Sequence, residues 1–384
     1  MESNTGQILN LGSLYHRFEG LSDKRKARGK RYALGMILMG IFLAKLCGED
    51  KPSGIAEWVS LRGPWIAQVL GLKRKQMPSH HTYRRALATS VDSGELEGLV
   101  RDFHRHGGKA GYQVVVAMDG KVLRGTVGEE TLQGLCLLAL YLPGERITLA
   151  QIAVEQKHNE ISAAPTLLSW VDLRNKVVIG DALHTQRQVS IQIGKAGGQY
   201  LWTVKGNQPQ LLQDLQDWFD PQVSLLPGMG CPPKDFVSFT RTNKRHGRLE
   251  IRTLTTSSQL NDFLDWPFLQ QVFRLERSVT LIKSGQTHHE ILYGLTSLSA
   301  QQASPAHLLD FLRSYWSIEN RLHYPRDVTL HEDQTRFKNN TAAHNMATIN
   351  NLLLALLAKL DFPFFPSARR FLAAHPMKAL SLLL

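Results

Sequence analysis

Blocks of apolar residues divide the chain into a helical first part and a mixed second part. The apolar block at residues 32–47 predicts a buried helix that Gly48 can cap. Shorter helices are expected from Ser53, from near Trp65 and after Ser79, an N-cap residue ahead of Arg84 and Arg85. The pattern of apolar residues changes from helical spacing to strand-like runs at Gly107-Gly108. We therefore predict an all-α domain over residues 1–108 and a second domain over 109–384.

Continuous apolar runs at residues 112–118, 135–142 and 147–154 predict three antiparallel strands joined as a meander. After Asn159, a candidate cap, the pattern predicts a helix, a strand, a helix, a strand and a helix, at residues 161–170, 177–180, 184–195, 199–204 and 208–219. This is the ribonuclease-H-like order, in which the ends of the first and fourth strands lie side by side.

Shorter alternating runs characterise residues 220–300. They predict a β-rich insertion with strands at residues 236–240, 249–254, 271–275 and 291–295. Helices are expected again from Phe311, over residues 341–360 and from Ser367. The fold class predicted is therefore α/β: a ribonuclease-H-like mixed sheet flanked by helices, with a β-rich insertion and an all-α N-terminal domain.

Charge narrows the range of partners. The 384 residues carry a net charge of +12, and residues 1–108 hold 17 Lys and Arg against 10 Asp and Glu. This excess favours a polyanion, nucleic acid first, although an ordinary solvated basic surface gives the same count. Three cysteines without a CxxC pair indicate a reducing compartment. The longest apolar run is too short to cross a bilayer, and no signal peptide is expected.

Isolated acids follow the buried runs. Asp119 and Asp181 each end a predicted strand, and Glu319 lies on the helix predicted from Phe311, in a stripe with Tyr315, His323 and Arg326 or Asp327. Three converging carboxylates would suit Mg²⁺, a cation that prefers oxygen ligands. Two purely structural interpretations of these residues also stay open. The stripe also fits a solvated helix face, and Asp119-Gly120 also fits a type I′ hairpin turn.

Seven sequence motifs, which occur in the same order as in a known family, carry a resemblance to that family. They are DGKVLRG (119–125), HNEISAAPTLL (158–168), VVIGDALHTQ (177–186), GGQYLWTVKGNQ (197–208), HGRLEIR (246–252), YWSIENRLHYPRDVTLHED (315–333) and NMATINNLLL (345–354). The chain resembles the H-repeat-associated, ISAs-type family of insertion-sequence transposases over nearly its whole length. Residues 1–108 are similar to that family's transposase-associated helical region. The resemblance implies a DDE catalytic core that cuts and joins DNA with Mg²⁺, for which Mn²⁺ would substitute.

Carried over by motif, Asp119 in DGK, Asp181 in GDA and Glu319 in IEN are the three catalytic and metal-binding acids, with Asp327 or Asp333 as competitors for the third position. The expected DNA contacts are Arg84, Arg85, Lys121, Arg124, Lys205, Arg248, Tyr315, His323 and Arg326. A related signature has Arg and Lys where this chain has Tyr315 and Arg326.

The partners expected are double-stranded element ends and target DNA, bound by a homodimer. No membrane and no small-molecule substrate are expected, and the location expected is the bacterial cytoplasm, at the nucleoid. Two other functions fit the same sequence: a structure-selective nuclease without strand transfer, and a domesticated DNA-binding protein without catalysis.

Overall fold

The computed structural model describes residues 14–103, 113–128, 134–154, 160–220 and 234–383. The predicted domain boundary at Gly107-Gly108 and the predicted cap Asn159 lie outside these ranges. The described chain forms two compact units that do not follow chain order. The first comprises residues 1–109, 120–159 and 319–384, and the second comprises 110–119 and 160–318.

Helices dominate the first unit. Its N-terminal helices are α1 (Leu14–Glu19), α2 (Leu34–Leu46), α3 (Pro52–Leu61), α4 (Gly63–Val69), α5 (His80–Arg85) and α6 (Ser93–Phe103). Every residue of α2 is buried, as its unbroken apolar run predicts. The C-terminal helices are α11 (Asn340–Lys359), α12 (Phe365–Ala374) and α13 (Pro376–Ser381). These elements confirm the helices expected in both regions.

Three strands join the helices of this unit. β1 (Val114–Leu123) enters the unit with its last four residues, and it lies beside β2 (Leu135–Leu142), which pairs antiparallel with β3 (Ile147–Val154). All eight residues of β2 are buried, and α11 packs on β2, β3, α2 and α6. The three predicted strands are confirmed in the order β3-β2-β1, with β2 and β3 antiparallel.

The second unit is built on a mixed sheet. Its strands are the first part of β1, β4 (Lys176–Gly180), β5 (Gln199–Val204), β6 (Val237–Arg245), β7 (Arg248–Ser257), β8 (Gln271–Leu281) and β9 (Thr287–Thr296), in the order β1-β4-β5-β9-β8-β7-β6. β1, β4 and β5 are parallel, and the remaining pairs are antiparallel. The helices described in this unit are α7 (Glu160–Ser169), α8 (Arg187–Lys195), α9 (Pro209–Phe219) and α10 (Pro305–Ile318).

The β-rich insertion forms a continuation of this sheet. β9 pairs with β5 over Leu201↔Thr296 to Val204↔Tyr293, so the inserted strands extend the parallel core. The sequence predicted these strands but not their pairing partner. The ribonuclease-H-like fold class and the side-by-side placement of the first and fourth strands are confirmed.

Two local predictions need correction. Asp119 and Gly120 lie inside β1, so the alternative of a type I′ turn at this point is wrong. The helix expected from Phe311, with a stripe that continues to Arg326 or Asp327, ends at Ile318. Two π-helical turns follow it, Glu319–His323 and Pro325–Thr329. A π turn has a wider repeat than an α-helix, so the predicted i, i+4 stripe does not continue past Glu319.

Candidate active site

Asp119 and Asp181 occupy equivalent positions on two neighbouring strands. β1 and β4 run parallel in the register Val114↔Lys176 to Met118↔Gly180, and each aspartate is the residue that follows the last pair. Neighbouring strands lie about 4.8 Å apart, so the backbone sets the two acids side by side. Asp119 is half-buried, and the side chain of Asp181 is 52% exposed. The two carboxylates therefore form one acidic site at the end of the parallel strands.

The turn after β4 is fixed by its neighbours. The Oδ1 atom of Asp181 accepts a hydrogen bond from the backbone N–H of Leu183 at 3.0 Å, which caps the short 3₁₀ turn that follows. Thr185 donates from Oγ1 to the backbone oxygen of Thr203 at 2.6 Å, and the Asn207 amide donates to the carbonyl of Ala182 at 2.5 Å. These bonds hold the acidic turn against the end of β5.

Tyr315 brings α10 to the two aspartates. Its side chain is buried, and its hydroxyl is hydrogen-bonded by the backbone of Asp181. Burial raises the pKa of Tyr315 well above its usual range, and the negative charges of Asp119, Asp181 and Glu160 raise it further. Tyr315 therefore keeps its proton at every physiological pH and can act as a hydrogen-bond donor at this site.

A buried acid and a buried imidazole complete the surroundings, and neither was predicted as a site residue. The Nε2 atom of His184 lies 3.6 Å from Glu160 Oε2 and 3.9 Å from Asp181 Oδ1. Both side chains are at most 3% exposed. Both residues lie within phrases that carry the family resemblance, HNEISAAPTLL and VVIGDALHTQ. That position was the only signal in the sequence, because nothing local marks Glu160 as a neighbour of His184.

The environment of His184 favours its neutral form. Burial lowers the pKa of its imidazole, and the charges of Asp181 and Asp119 oppose this shift only in part. Neither ring nitrogen has a hydrogen-bond partner among the described residues. Gly180 makes room for the ring, because a Cβ there would lie 3.1 Å from His184 Cβ and 3.2 Å from its Cδ2. A buried imidazole with open nitrogens beside two carboxylates is typical of functional sites.

The two aspartates offer the kind of ligand atom that a hard divalent cation prefers, but they are two carboxylates and not the three that were predicted. Asp119 and Asp181 offer carboxylate oxygens, the ligands that Mg²⁺ prefers, and the exposure of Asp181 leaves room for water ligands. Within the described ranges, no group of three or more His, Cys, Asp or Glu side chains has the arrangement of a metal site. Glu319 is exposed and begins the first π-helical turn. Its part as third ligand stays a prediction.

The predicted DNA contacts divide into exposed and buried side chains. Arg84 and Arg85 are exposed on α5, Lys205 is exposed after β5, and Arg248 is exposed at the tip of the β6-β7 hairpin. Arg124 is also exposed, and its backbone N–H donates to Asp333 Oδ1 at 3.1 Å. All five side chains are exposed to solvent, and the DNA contacts expected of them stay predictions.

Three other predicted contacts are turned inward. Lys121 is 8% exposed, and its Nζ atom lies 2.7 Å from both carboxylate oxygens of Asp327. His323 is 5% exposed and Arg326 is fully buried, with its Nε atom 2.8 Å from Glu332 Oε2. Lys121 and Arg326 are thus paired with carboxylates inside the protein, and the DNA contacts expected of these three residues stay predictions.

Comparison with known proteins identifies the family of this chain. The family model "Transposase DDE domain" matches residues 110–357, and the model "DDE_Tnp_1-associated" matches residues 15–104. The chain belongs to the DDE transposase family. The H-repeat-associated family predicted from the sequence is thereby confirmed, and members of this family generally use divalent metal ions.

Relatives of the DDE transposase chain match over most of their length. The protein YbfL of Escherichia coli (strain K12) is 27% identical over 374 residues, 94% of each chain. The H repeat-associated protein YhhI of the same strain is 26% identical over 374 residues, again 94% of each. An uncharacterized protein in the dhlA 3′ region of Xanthobacter autotrophicus is 31% identical over 290 residues, 74% of this chain and 94% of the relative.

One solved structure aligns with 99% of the chain and 81% of its own length, the piggyBac transposase synaptic complex with hairpin DNA, at a TM-score of 0.46 and 11% identity. Among the described helices, none is long and apolar enough to cross a membrane.

Proposed function

We propose that this DDE transposase catalyses attack of water on a phosphodiester bond at the ends of its insertion sequence, which frees a 3′-hydroxyl. This hydroxyl then attacks a phosphodiester of target DNA and displaces the 3′-oxygen of the target strand. The observation that carries the proposal is the register of β1 and β4, which sets Asp119 and Asp181 side by side. A divalent cation held by these carboxylates would supply Lewis-acid stabilisation of charge at the reacting phosphate. Glu319 is proposed as the third acid from its IEN motif.

The residues around the two aspartates have distinct parts. Tyr315 is buried, keeps its proton and is placed to donate a hydrogen bond at the site. The buried pair of Glu160 and His184 positions the turn that carries Asp181. The proposed phosphate contacts are the exposed cations Arg124, Lys205 and Arg248, which steady the backbone outside the reacting bond.

DNA partners and assembly follow from the same chemistry. Two element ends must be cut and joined together, so we propose that a homodimer assembles on double-stranded DNA. A bacterial cytoplasmic location at the nucleoid belongs to this proposal. Sedimentation of the protein with and without an end duplex measures the assembly, and one monomer per end without pairing of ends would contradict it.

The direct test is a cleavage assay on linear DNA that carries the ends flanking the protein's own gene, with Mg²⁺ or Mn²⁺. The variant Asp181→Asn should lose cleavage by a factor of about 10³ or more, because removal of one charged ligand weakens metal binding and the stabilisation of the reacting phosphate. Asp172→Asn is the matched control. Asp172 is also an exposed aspartate, at 55%, and it pairs with Arg174 at 2.8 Å.

The products separate the three functions that the sequence allows. Joined products dependent on Asp181 support the transposase, whereas cleaved but never joined ends identify a nuclease. Equal DNA binding by both proteins without any cleavage identifies a DNA-binding relic and refutes the catalytic proposal.

A further inference from the structure

A wide groove in the first unit has walls from two separate parts of the chain. One wall is α5 with the start of α3, and the other is the segment Gln334–Asn339, which leads into α11. The groove has a volume of about 1240 Å³. Its lining includes the cationic side chains of Lys51, Arg84, Arg85, Arg336 and Lys338. We call it the α5 groove.

The positive charge of the α5 groove is uncompensated. Among the described residues that line it, none is Asp or Glu. All five cations are exposed, and no carboxylate in the described ranges pairs with any of them. Elsewhere in the same unit the inward-facing cations are neutralised, as when Lys45 and Arg369 share Asp50. Five unpaired charges along one concave surface create a field that attracts a polyanion.

The size and the lining of the groove favour a polymer over a small molecule. Small-molecule pockets measure about 300–1,000 Å³ and are mostly apolar. Here the lining between the cations consists largely of small polar groups, among them Ser53, Ser79 and Asn339. Hydroxyl and amide groups of this kind contact phosphate oxygens in protein–DNA complexes. The lining therefore matches a sugar–phosphate backbone.

The aromatic residues of the groove favour a duplex over a single strand. Single-stranded DNA is bound by stacking its bases on exposed aromatic rings. Phe337, in the second wall, is half-buried and packs against a core cluster that includes Leu123 and Ala343. The rings of His80 and His81 lie against each other, with centroids 4.0 Å apart. These aromatic rings have packing partners within the protein, which leaves the cations as the groove's main binding groups.

We propose that the α5 groove binds the sugar–phosphate backbone of duplex DNA, with the segment Gln334–Asn339 as a second binding wall opposite α5. This inference rests on the proposed function and extends it. Among the cations that line the groove, the sequence predicted DNA contacts only for Arg84 and Arg85. The structure adds Lys51, Arg336 and Lys338 to them. Because the contacts are charge–phosphate contacts, the groove positions the duplex and contributes affinity that is independent of base sequence.

The test is the variant Arg336→Ala/Lys338→Ala, compared with Lys195→Ala/Lys283→Ala, which removes two exposed cations from other surfaces. Affinity for a fluorescently labelled duplex is measured by anisotropy over a series of salt concentrations. Each phosphate contact contributes about 0.9 to the slope of log K against log salt. The groove variant should flatten this slope by about 2 and lose about 10-fold or more in affinity at about 0.1 M salt. The control should change neither.

Two further measurements make the result specific. The loss should be equal on an end duplex and on a duplex of random sequence, because the groove reads no bases. The variant Arg84→Gln/Arg85→Gln, on the opposite wall, should reproduce the flattened slope. Both walls are changed at exposed side chains, so the thermal unfolding midpoint should match that of the parent protein. If one wall variant has a lower thermal unfolding midpoint than the parent protein, the binding measurement uses the variant of the other wall.

Several results would overturn the proposal: an unchanged slope in both wall variants, a loss no larger than that of the control, or a loss seen only with single-stranded DNA. Failure of the groove is distinct from failure of the proposed function. Cleavage by the parent protein with normal duplex binding by both wall variants removes the groove and leaves the transposase. Flattened slopes without any cleavage by the parent protein leave the groove and remove the catalysis.

Discussion

Replacement of Arg326 by methionine tests whether this residue supports the fold or contacts DNA. The guanidinium is fully buried, and its Nε atom lies 2.8 Å from Glu332 Oε2. Its Nη1 atom lies 3.4 Å from both Gln151 Oε1 and Asn351 Oδ1. Methionine keeps a long apolar side chain but leaves the carboxylate of Glu332 buried. Among the described side chains, the Asn350 amide, which donates to Glu332 Oε1 at 2.7 Å, is then its remaining hydrogen-bond donor.

The magnitude follows from the uncompensated charge. Breaking a buried ion pair by removing one partner costs about 3–5 kcal/mol. With a urea dependence of about 3 kcal/mol per molar, the unfolding midpoint should fall by about 1–1.7 M. Arg321→Met is the matched control. Arg321 is exposed and its Nη1 atom donates one hydrogen bond, at 3.2 Å, to the carbonyl of Pro143, so its loss should cost about 0.5 kcal/mol or less.

The pH dependence carries a second signature. Burial alone would raise the pKa of Glu332, but the Arg326 guanidinium and the Asn350 amide outweigh burial and hold this pKa below its usual value of 4.5. A carboxyl group with a lowered folded-state pKa contributes stability above its unfolded-state pKa, and this stability is lost as the pH falls through the folded-state pKa. The gap between parent and Arg326→Met should therefore narrow as the pH falls below about 4.5, the usual pKa of this carboxyl group.

Urea unfolding of four proteins provides the assay: the parent, Arg326→Met, Glu332→Gln and the double variant. The double variant should recover much of the loss, because no buried charge is left unpaired. A loss below about 1 kcal/mol, or an equal loss from Arg326→Met in the Glu332→Gln background, would refute the ion-pair reasoning. Full stability combined with weakened DNA binding would instead restore the DNA contact expected from the sequence.

Three further predictions test other parts of the structure. Gly294→Ala should destabilise the sheet by about 1–3 kcal/mol in thermal unfolding, because its Cβ would overlap the Phe273 ring, whereas Gly206→Ala, in open space, should not. Cys47 should resist iodoacetamide at pH 8.5 until urea unfolds the protein, because burial raises its pKa to about 12; mass spectrometry of that cysteine checks this. Tyr315→Phe should slow end cleavage about 10-fold or more while costing about 1 kcal/mol of stability, and an unchanged rate would remove its hydroxyl from the proposed site.

Structure alone decided which partners the polar residues meet. Lys121 pairs with Asp327, which lies 206 residues further along the chain. Arg326, in the second π-helical turn after the end of α10, pairs with Glu332. Glu160 and His184 showed no local sign of their contact. The contacts of Lys121 with Asp327 and of Glu160 with His184 join distant parts of the chain, and no short window of sequence contains both partners of either contact. For the same reason, local sequence did not predict that β9 pairs with β5 or that the segment Gln334–Asn339 forms the second wall of the α5 groove.

By itself, the sequence determined the order and kind of elements and the two aspartates of the candidate site. Apolar runs of strand length ended at Asp119 and Asp181, and the strand order set these residues on neighbouring strands. These features are local, because side-chain periodicity and buried composition act over a few residues. Tertiary structure decided which cations are buried and which face solvent. An arginine becomes part of a core ion pair only where the fold brings a carboxylate to it, and the sequence around the arginine does not show whether this happens.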